Sequence, residues 1–149
     1  MEALKQNNLD PLFIAWKNRT VNFMKAYQEQ DVHNMLSHCT QDCTVAFLPL
    51  GEQGQGNVHK VGKAIWSSII AAFPTIDNTV NTVVKENGDV RCEASVRGKQ
   101  AKDFAGLPSK GNTFEEDHVF IFKMDELGMI RGISVNWNHE NLVRQLTLP

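Results

Sequence analysis

Beyond Asp10-Pro11, apolar side chains recur at Phe13, Trp16, Phe23, Met24 and Tyr27, with Thr20 in the same stripe. That spacing follows the helical period, and an aspartate before a proline starts helices, so a long amphipathic helix is predicted near residues 10 to 29. Asp31 caps a shorter helix carrying Val32, Met35 and Leu36, near residues 31 to 38. From Cys43 to Leu48 the pattern turns to strand and stops at Pro49. Gly51 to Gly56 holds three glycines among polar residues and reads as a mobile surface loop, without the Lys-Ser/Thr ending of a phosphate loop. Val61 to Phe73 is apolar over a broad face and is ended by Pro74, which predicts a third helix near residues 62 to 73 that covers a sheet.

The second half of the chain is strand-like. Ile76 to Val84 leads to the turn Glu86-Asn-Gly-Asp89, after which Val90, Cys92, Ala94 and Val96 alternate with Arg91, Glu93, Ser95 and Arg97. A kinked connector, Phe104-Ala-Gly-Leu-Pro-Ser-Lys-Gly111, reads as the mouth of a sheet-lined cavity. Phe114 to Lys123, a turn to Gly128, and Met129 to Trp137 form a further hairpin whose first arm is apolar on both parities, as a central strand would be. Asn138 to Leu146 suits a short closing helix. Three helices followed by long, mostly antiparallel strands predict an α+β domain, a curved antiparallel sheet wrapped over the helices around a cone-shaped pocket.

The 149 residues suit one domain spanning 1–149. A net charge of -2 gives no basic field for phosphates, so nucleic acid is not expected as a partner. No stretch reaches the length of a membrane-spanning apolar run, and Met1 to Asn8 lacks a leader pattern, so no membrane association is expected. Cys39, Cys43 and Cys92 cannot all pair within one chain, which fits a reducing, cytoplasmic setting.

Candidate chemistry concentrates on the strand from 114 to 123. His118 shares parity with Phe114, Glu116, Phe120 and Phe122, and the two-residue period of a strand puts these on one face. An imidazole titrates near neutrality and a carboxylate beside it can fix its tautomer, so His118 and Glu116 are candidates for proton transfer; the bland reading is a core histidine beside a solvated glutamate. Asp117 has the opposite parity and becomes the carboxylate candidate if that face lines the pocket. Asn136 and Trp137 can hold a small apolar substrate at the far end of the sheet, and Trp16, Tyr27, Trp66 and Phe120 are either pocket walls or core anchors. His33, His38, Cys39, Asp42 and Cys43 carry metal-capable atoms without a structural-zinc spacing, His59 and His139 stand alone, and no serine sits in a Gly-x-Ser-x-Gly elbow. No metal is expected.

Several runs, in order and spacing, resemble the SnoaL-like polyketide cyclase family: Ala72-Phe-Pro-Thr-Ile-Asp77, Val83-Val-Lys-Glu-Asn-Gly-Asp-Val90, Phe104 to Gly111, Gly128-Met-Ile130 and Leu142-Val-Arg-Gln-Leu146. The resemblance extends from Asp31 to Leu146. It implies the nuclear transport factor 2-like cone, a homodimer through the outer sheet face, and cofactor-free chemistry on a small apolar carbonyl compound by isomerisation, cyclisation or dehydration. A noncatalytic small-molecule binding protein of the same fold is the alternative. Counted from Gly128, the family's acid/base aspartate and histidine fall near Val135 and Ile133, and a later aspartate is Asn138. His118 approximates the other hairpin histidine.

Overall fold

The chain passes from helix to sheet at Cys39. The computed structural model describes residues 10–149, so Met1 to Asn8, read above for a leader, lie outside the described residues. Asp10 starts helix α1 (Pro11–Gln28) by accepting a hydrogen bond from Leu12 N, and Asp31 starts α2 (Val32–Ser37) by accepting one from Asn34 N. Each side-chain oxygen satisfies an amide that the first helical turn leaves without a partner. The stripe on α1 is the one the spacing predicts: Phe13, Thr20, Phe23, Met24 and Tyr27 are buried.

Strand β1 (Cys39–Phe47) begins four residues before the predicted strand. The predicted loop after it is ordered structure: a 3-10 stretch (Leu48–Gly54), a short strand β2 (Gln55–Asn57), and a π turn (Val58–Gly62) leading into α3 (Lys63–Ala72). Glycine there serves close packing as well as flexibility. Gly54 is buried, and a Cβ on it would stand 2.8 Å from the Phe47 carbonyl oxygen.

Strands β3 (Asp77–Glu86), β4 (Asp89–Lys99), β5 (Thr113–Met124) and β6 (Ile130–Trp137) follow, and α4 (His139–Leu146) closes the chain. The β3–β4 turn places Asn87 and Gly88 at φ 52° and 82°, the paired left-handed conformation that an Asn-Gly hairpin favours. The six strands run in the order β2-β1-β6-β5-β4-β3, antiparallel except where β1 lies parallel to β6. This is the α+β fold in which a curved sheet packs against the N-terminal helices. β5 is interior to the sheet, which explains its apolar residues on both parities.

The core lies between the helices and the concave face. Trp66 of α3, 1% exposed, meets Phe23, Tyr27 and Phe47 edge-on at ring-centre distances of 5.5, 6.4 and 5.1 Å. Such edge-to-face contacts add to the burial of large aromatic surface. Among the described residues, no helix is long and apolar enough to cross a membrane.

Candidate functional site

The narrow end of the core encloses a cavity of about 30 Å³. That is room for about two ordered waters. Its wall is almost wholly apolar: Phe47, Trp66, Phe73, Phe104, Phe114 and Phe120 are among the lining side chains. Tyr27, His118 and Trp137 join them, and with the indole of Trp66 they bring the polar side-chain atoms of the lining. Phe104 comes from the kinked connector, and Leu142 from α4 completes the lining on another side.

The pairing of β5 with β4 and β6 decides which parity faces this cavity. Phe114, His118 and Phe120 line it, and His118 stands directly opposite Trp137 across the β5–β6 ladder. Their rings stack at 5.2 Å with an angle of 16°, and Phe120 continues the stack at 6.3 Å from His118. His118 Nδ1 lies 3.0 Å from the main-chain oxygen of Glu116. A carbonyl can only accept, so Nδ1 carries the proton and Nε2 keeps its lone pair. Burial pushes the His118 pKa down to about 4, against smaller opposing effects of the Glu116 carbonyl and the Asp117 charge and backbone. At neutral pH the ring is uncharged.

Tyr27 is the complementary group. Burial raises its pKa, so the hydroxyl stays protonated, and it has no hydrogen-bond partner among the described residues. The site therefore offers a neutral O–H donor on Tyr27, an indole N–H on Trp66 and a neutral ring-nitrogen acceptor on His118 inside an aromatic shell.

The remaining predicted residues are dispersed. Glu116 does fix the imidazole tautomer, but through its carbonyl; its carboxylate accepts from Asn141 Nδ2 at 2.6 Å and Gln145 Nε2 at 3.1 Å, tying α4 to β5. Asp117 lies on the outer face, where it accepts from Ser95 Oγ at 3.2 Å, because strand alternation turns it away from the cavity. Asn136 is exposed opposite Val119 and accepts from the Trp137 amide, again on the outer parity. Trp16 is half-buried on α1 outside the cavity wall, and its indole nitrogen is buried without a partner among the described residues. Trp66, Tyr27, Phe120 and Trp137 are brought together as wall.

Of the other four histidines His33 is exposed, and three have partners. His139 Nδ1 accepts from the Trp137 indole at 3.2 Å, and His59 Nε2 donates to the Thr40 carbonyl at 2.9 Å. His38 Nδ1 accepts from the Arg19 guanidinium at 3.0 Å; burial and then the Arg19 charge lower its pKa. Among the described residues no three metal-capable side chains come together. Residues missed as lining, Phe47, Phe73, Val96 and Leu142, carried only an apolar-periodicity signal, which every core residue shares.

No protein-family model matches the chain, and no curated protein matches it. Solved structures do. A candidate SnoaL-like polyketide cyclase from Jannaschia sp. CCS1 superposes with a TM-score of 0.82 at 15% identity, covering 94% of this chain and 96% of its own. TsrD from Streptomyces laurentii gives 0.76 at 19% identity, over 90% and 96%. TerC, co-crystallised with polyporic acid, gives 0.72 at 12% identity, over 90% and 99%. The chain therefore has the nuclear transport factor 2-like fold of SnoaL-like proteins. The shared fold does not assign the chemistry, which rests on the site itself.

Proposed function

We propose that the protein takes a small, largely apolar carbonyl compound into the cone and moves a proton on it, by isomerisation, cyclisation or dehydration, without calling on a cofactor. The observation that carries this reading is the pairing of Tyr27 and His118 within an otherwise apolar cavity. The Tyr27 hydroxyl donates to the carbonyl oxygen and stabilises negative charge as it develops there. His118 Nε2 takes the proton from the adjacent carbon. A base with a pKa of about 4 is unprotonated at neutral pH but weak. It suits a C–H already acidified, such as one between two carbonyl groups. Trp137 and Phe120 hold the imidazole plane by stacking. A cavity of about 30 Å³ is smaller than such a molecule, so the lining side chains shift to admit it.

Noncatalytic binding is the competing reading, favoured by one observation. The Glu116 carboxylate is engaged by Asn141 and Gln145, leaving His118 without a carboxylate partner in the cavity. Deuterium exchange at the central carbon of acetylacetone, followed by NMR, separates the two. The catalytic reading expects acceleration by the wild type, a loss of about 10²-fold or more in His118→Gln, consistent with a missing general base, and a smaller loss in Tyr27→Phe. Saturable binding without accelerated exchange would establish the carrier reading. Full exchange activity in His118→Gln would remove that residue from the mechanism.

The same proposal includes one domain over residues 1–149, a cytoplasmic setting, and a homodimer through the outer sheet face. Support for the dimer is the outer face itself, where half-buried Val119 and Ile121 stand between Asp117 and Lys123 and beside Arg91, Glu93, Ser95 and Arg97 of β4, a mixture suited to a moderately polar interface. Sedimentation at micromolar concentration is expected to give the dimer mass; a monomer throughout would contradict it.

A further inference from the structure

Strand β1 makes an excursion that its neighbour does not follow. Cys39 pairs with Ile130 and Thr44 with Gly132, so β1 advances five residues while β6 advances two. At about 3.3 Å per residue, the two ends of this segment stand about 7 Å apart along the sheet, where a regular strand would separate them by about 17 Å. The surplus residues Thr40, Gln41 and Asp42 turn outward, and Cys43 is brought back beside Cys39. Three hydrogen bonds fasten the turn: Thr40 Oγ1 to Asp42 Oδ1, Asn57 Nδ2 to the Gln41 carbonyl, and His59 Nε2 to the Thr40 carbonyl, each at 2.9 Å.

Both thiols are buried, Cys39 at 6% and Cys43 at 0% exposure. Cys39 Sγ donates to the Met35 carbonyl at 3.8 Å and Cys43 Sγ to the Thr44 carbonyl at 3.6 Å. The neighbouring Cys43 thiol, followed by burial, pushes the Cys39 thiol up, and the nearby Arg19 charge acts in the opposite sense. Arg19 is held in place by its bonds to the Gly128 carbonyl at 3.1 Å and to His38 Nδ1 at 3.0 Å. Cys92, on β4, is three strands away, about 14 Å at ordinary strand spacing.

We propose that Cys39 and Cys43 form a dithiol that the β1 excursion holds ready to close into an intrachain disulfide, a modification site apart from the cone. The excursion draws the two positions toward the short Cα separation that a disulfide needs, about 4.4–6.8 Å, which residues four apart on a regular strand never have. Hydrogen peroxide is the oxidant. Cys39, the less buried of the two thiols, gives up its proton to water, and its sulfur attacks one peroxide oxygen; the O–O bond breaks and the hydroxide released takes a proton and leaves as water, giving a sulfenic acid. The Cys43 sulfur then attacks the Cys39 sulfur, the S–O bond breaks, and a second water leaves. Two thiols and one peroxide become one disulfide and two waters. Two electrons pass from sulfur to oxygen.

Peroxide treatment of the folded protein, alkylation in denaturant and trypsin digestion test the connectivity. The peptide from residue 26 to Lys60 contains both cysteines and is expected to lose two hydrogens and take no alkyl group, while Cys92 is alkylated. Cys39→Ser should leave Cys43 fully alkylated. Equilibration with a glutathione redox buffer, in the native state and in urea, then tests preorganisation. The 39–43 disulfide should form with an equilibrium constant at least about tenfold larger in the native state, a shift of about 30 mV. Unchanged thiols, sulfinic acid on Cys39 beside an alkylated Cys43, a bond to Cys92, or an equal or smaller constant in the native state would each overturn the proposal.

Discussion

The two faces of the central sheet carry titratable groups only one residue apart and treat them in opposite ways. On the concave face His118 is enclosed by Phe120 and Trp137, meets a single main-chain oxygen, and is held neutral by burial down to about pH 4. On the convex face the charges are half-exposed and matched. Arg97 meets Asp77 at 2.7 Å, Arg91 meets Glu93 at 3.1 Å, and Ser95 donates to Asp117. There the ionised forms are favoured: Asp77 is lowered by its bond from Gln28, with Arg97 contributing, and Glu93 by its bonds from Arg91 and Thr82. Solvent access decides the difference. A charge costs little beside water and a partner, and a great deal inside an aromatic shell.

The larger expected effect lies on the concave face. The folded pKa of His118, about 4, is below the ordinary 6.5, so between those values the unfolded chain binds more protons than the fold. The stabilising contribution is complete above about pH 6.5 and is lost as pH falls toward 4. The gap corresponds to about 3 kcal/mol. Urea unfolding at pH 7 and pH 4 should therefore show the wild type losing about 3 kcal/mol more than His118→Gln over that interval. Equal losses in the two proteins would mean that His118 is solvated in the fold, and the contrast between the faces would collapse.

Asp77→Asn probes the convex face and should do far less. The Arg97–Asp77 side chains are 38% and 39% exposed, so solvent and salt screen the pair, and its removal is expected to cost under about 1 kcal/mol, shrinking further at high ionic strength. Differential unfolding of the variant at low and high salt measures both quantities. A loss above about 2 kcal/mol that ignores salt would place this pair among buried ionic contacts and reverse the ordering of the two faces.

The sequence alone carried the elements whose cause is local. Asp10-Pro11 and Asp31 cap helices where the residue types demand it; the alternation from Val90 to Arg97 is the alternation of buried and half-buried positions on β4; Asn87-Gly88 is the hairpin turn. Period-two reasoning also grouped Phe114, His118 and Phe120 on one face and Asp117 on the other. Which face encloses the cavity depended on the pairing of β5 with β4 and β6 and on the helices that cover one side, contacts between residues far apart in sequence. For the same reason Trp16 could not be told from Trp66, since both sit on apolar helical stripes and only packing puts one beside Phe23 and Phe47. The Glu116 carboxylate was captured by Asn141 and Gln145 across the tertiary fold. The return of Cys43 to Cys39 is likewise set by the register of a parallel neighbour, Ile130 to Gly132, which no local spacing encodes. Local propensity wrote the elements; long-range pairing and burial decided which side chains share a dry space, and so which of them titrate, stack or meet.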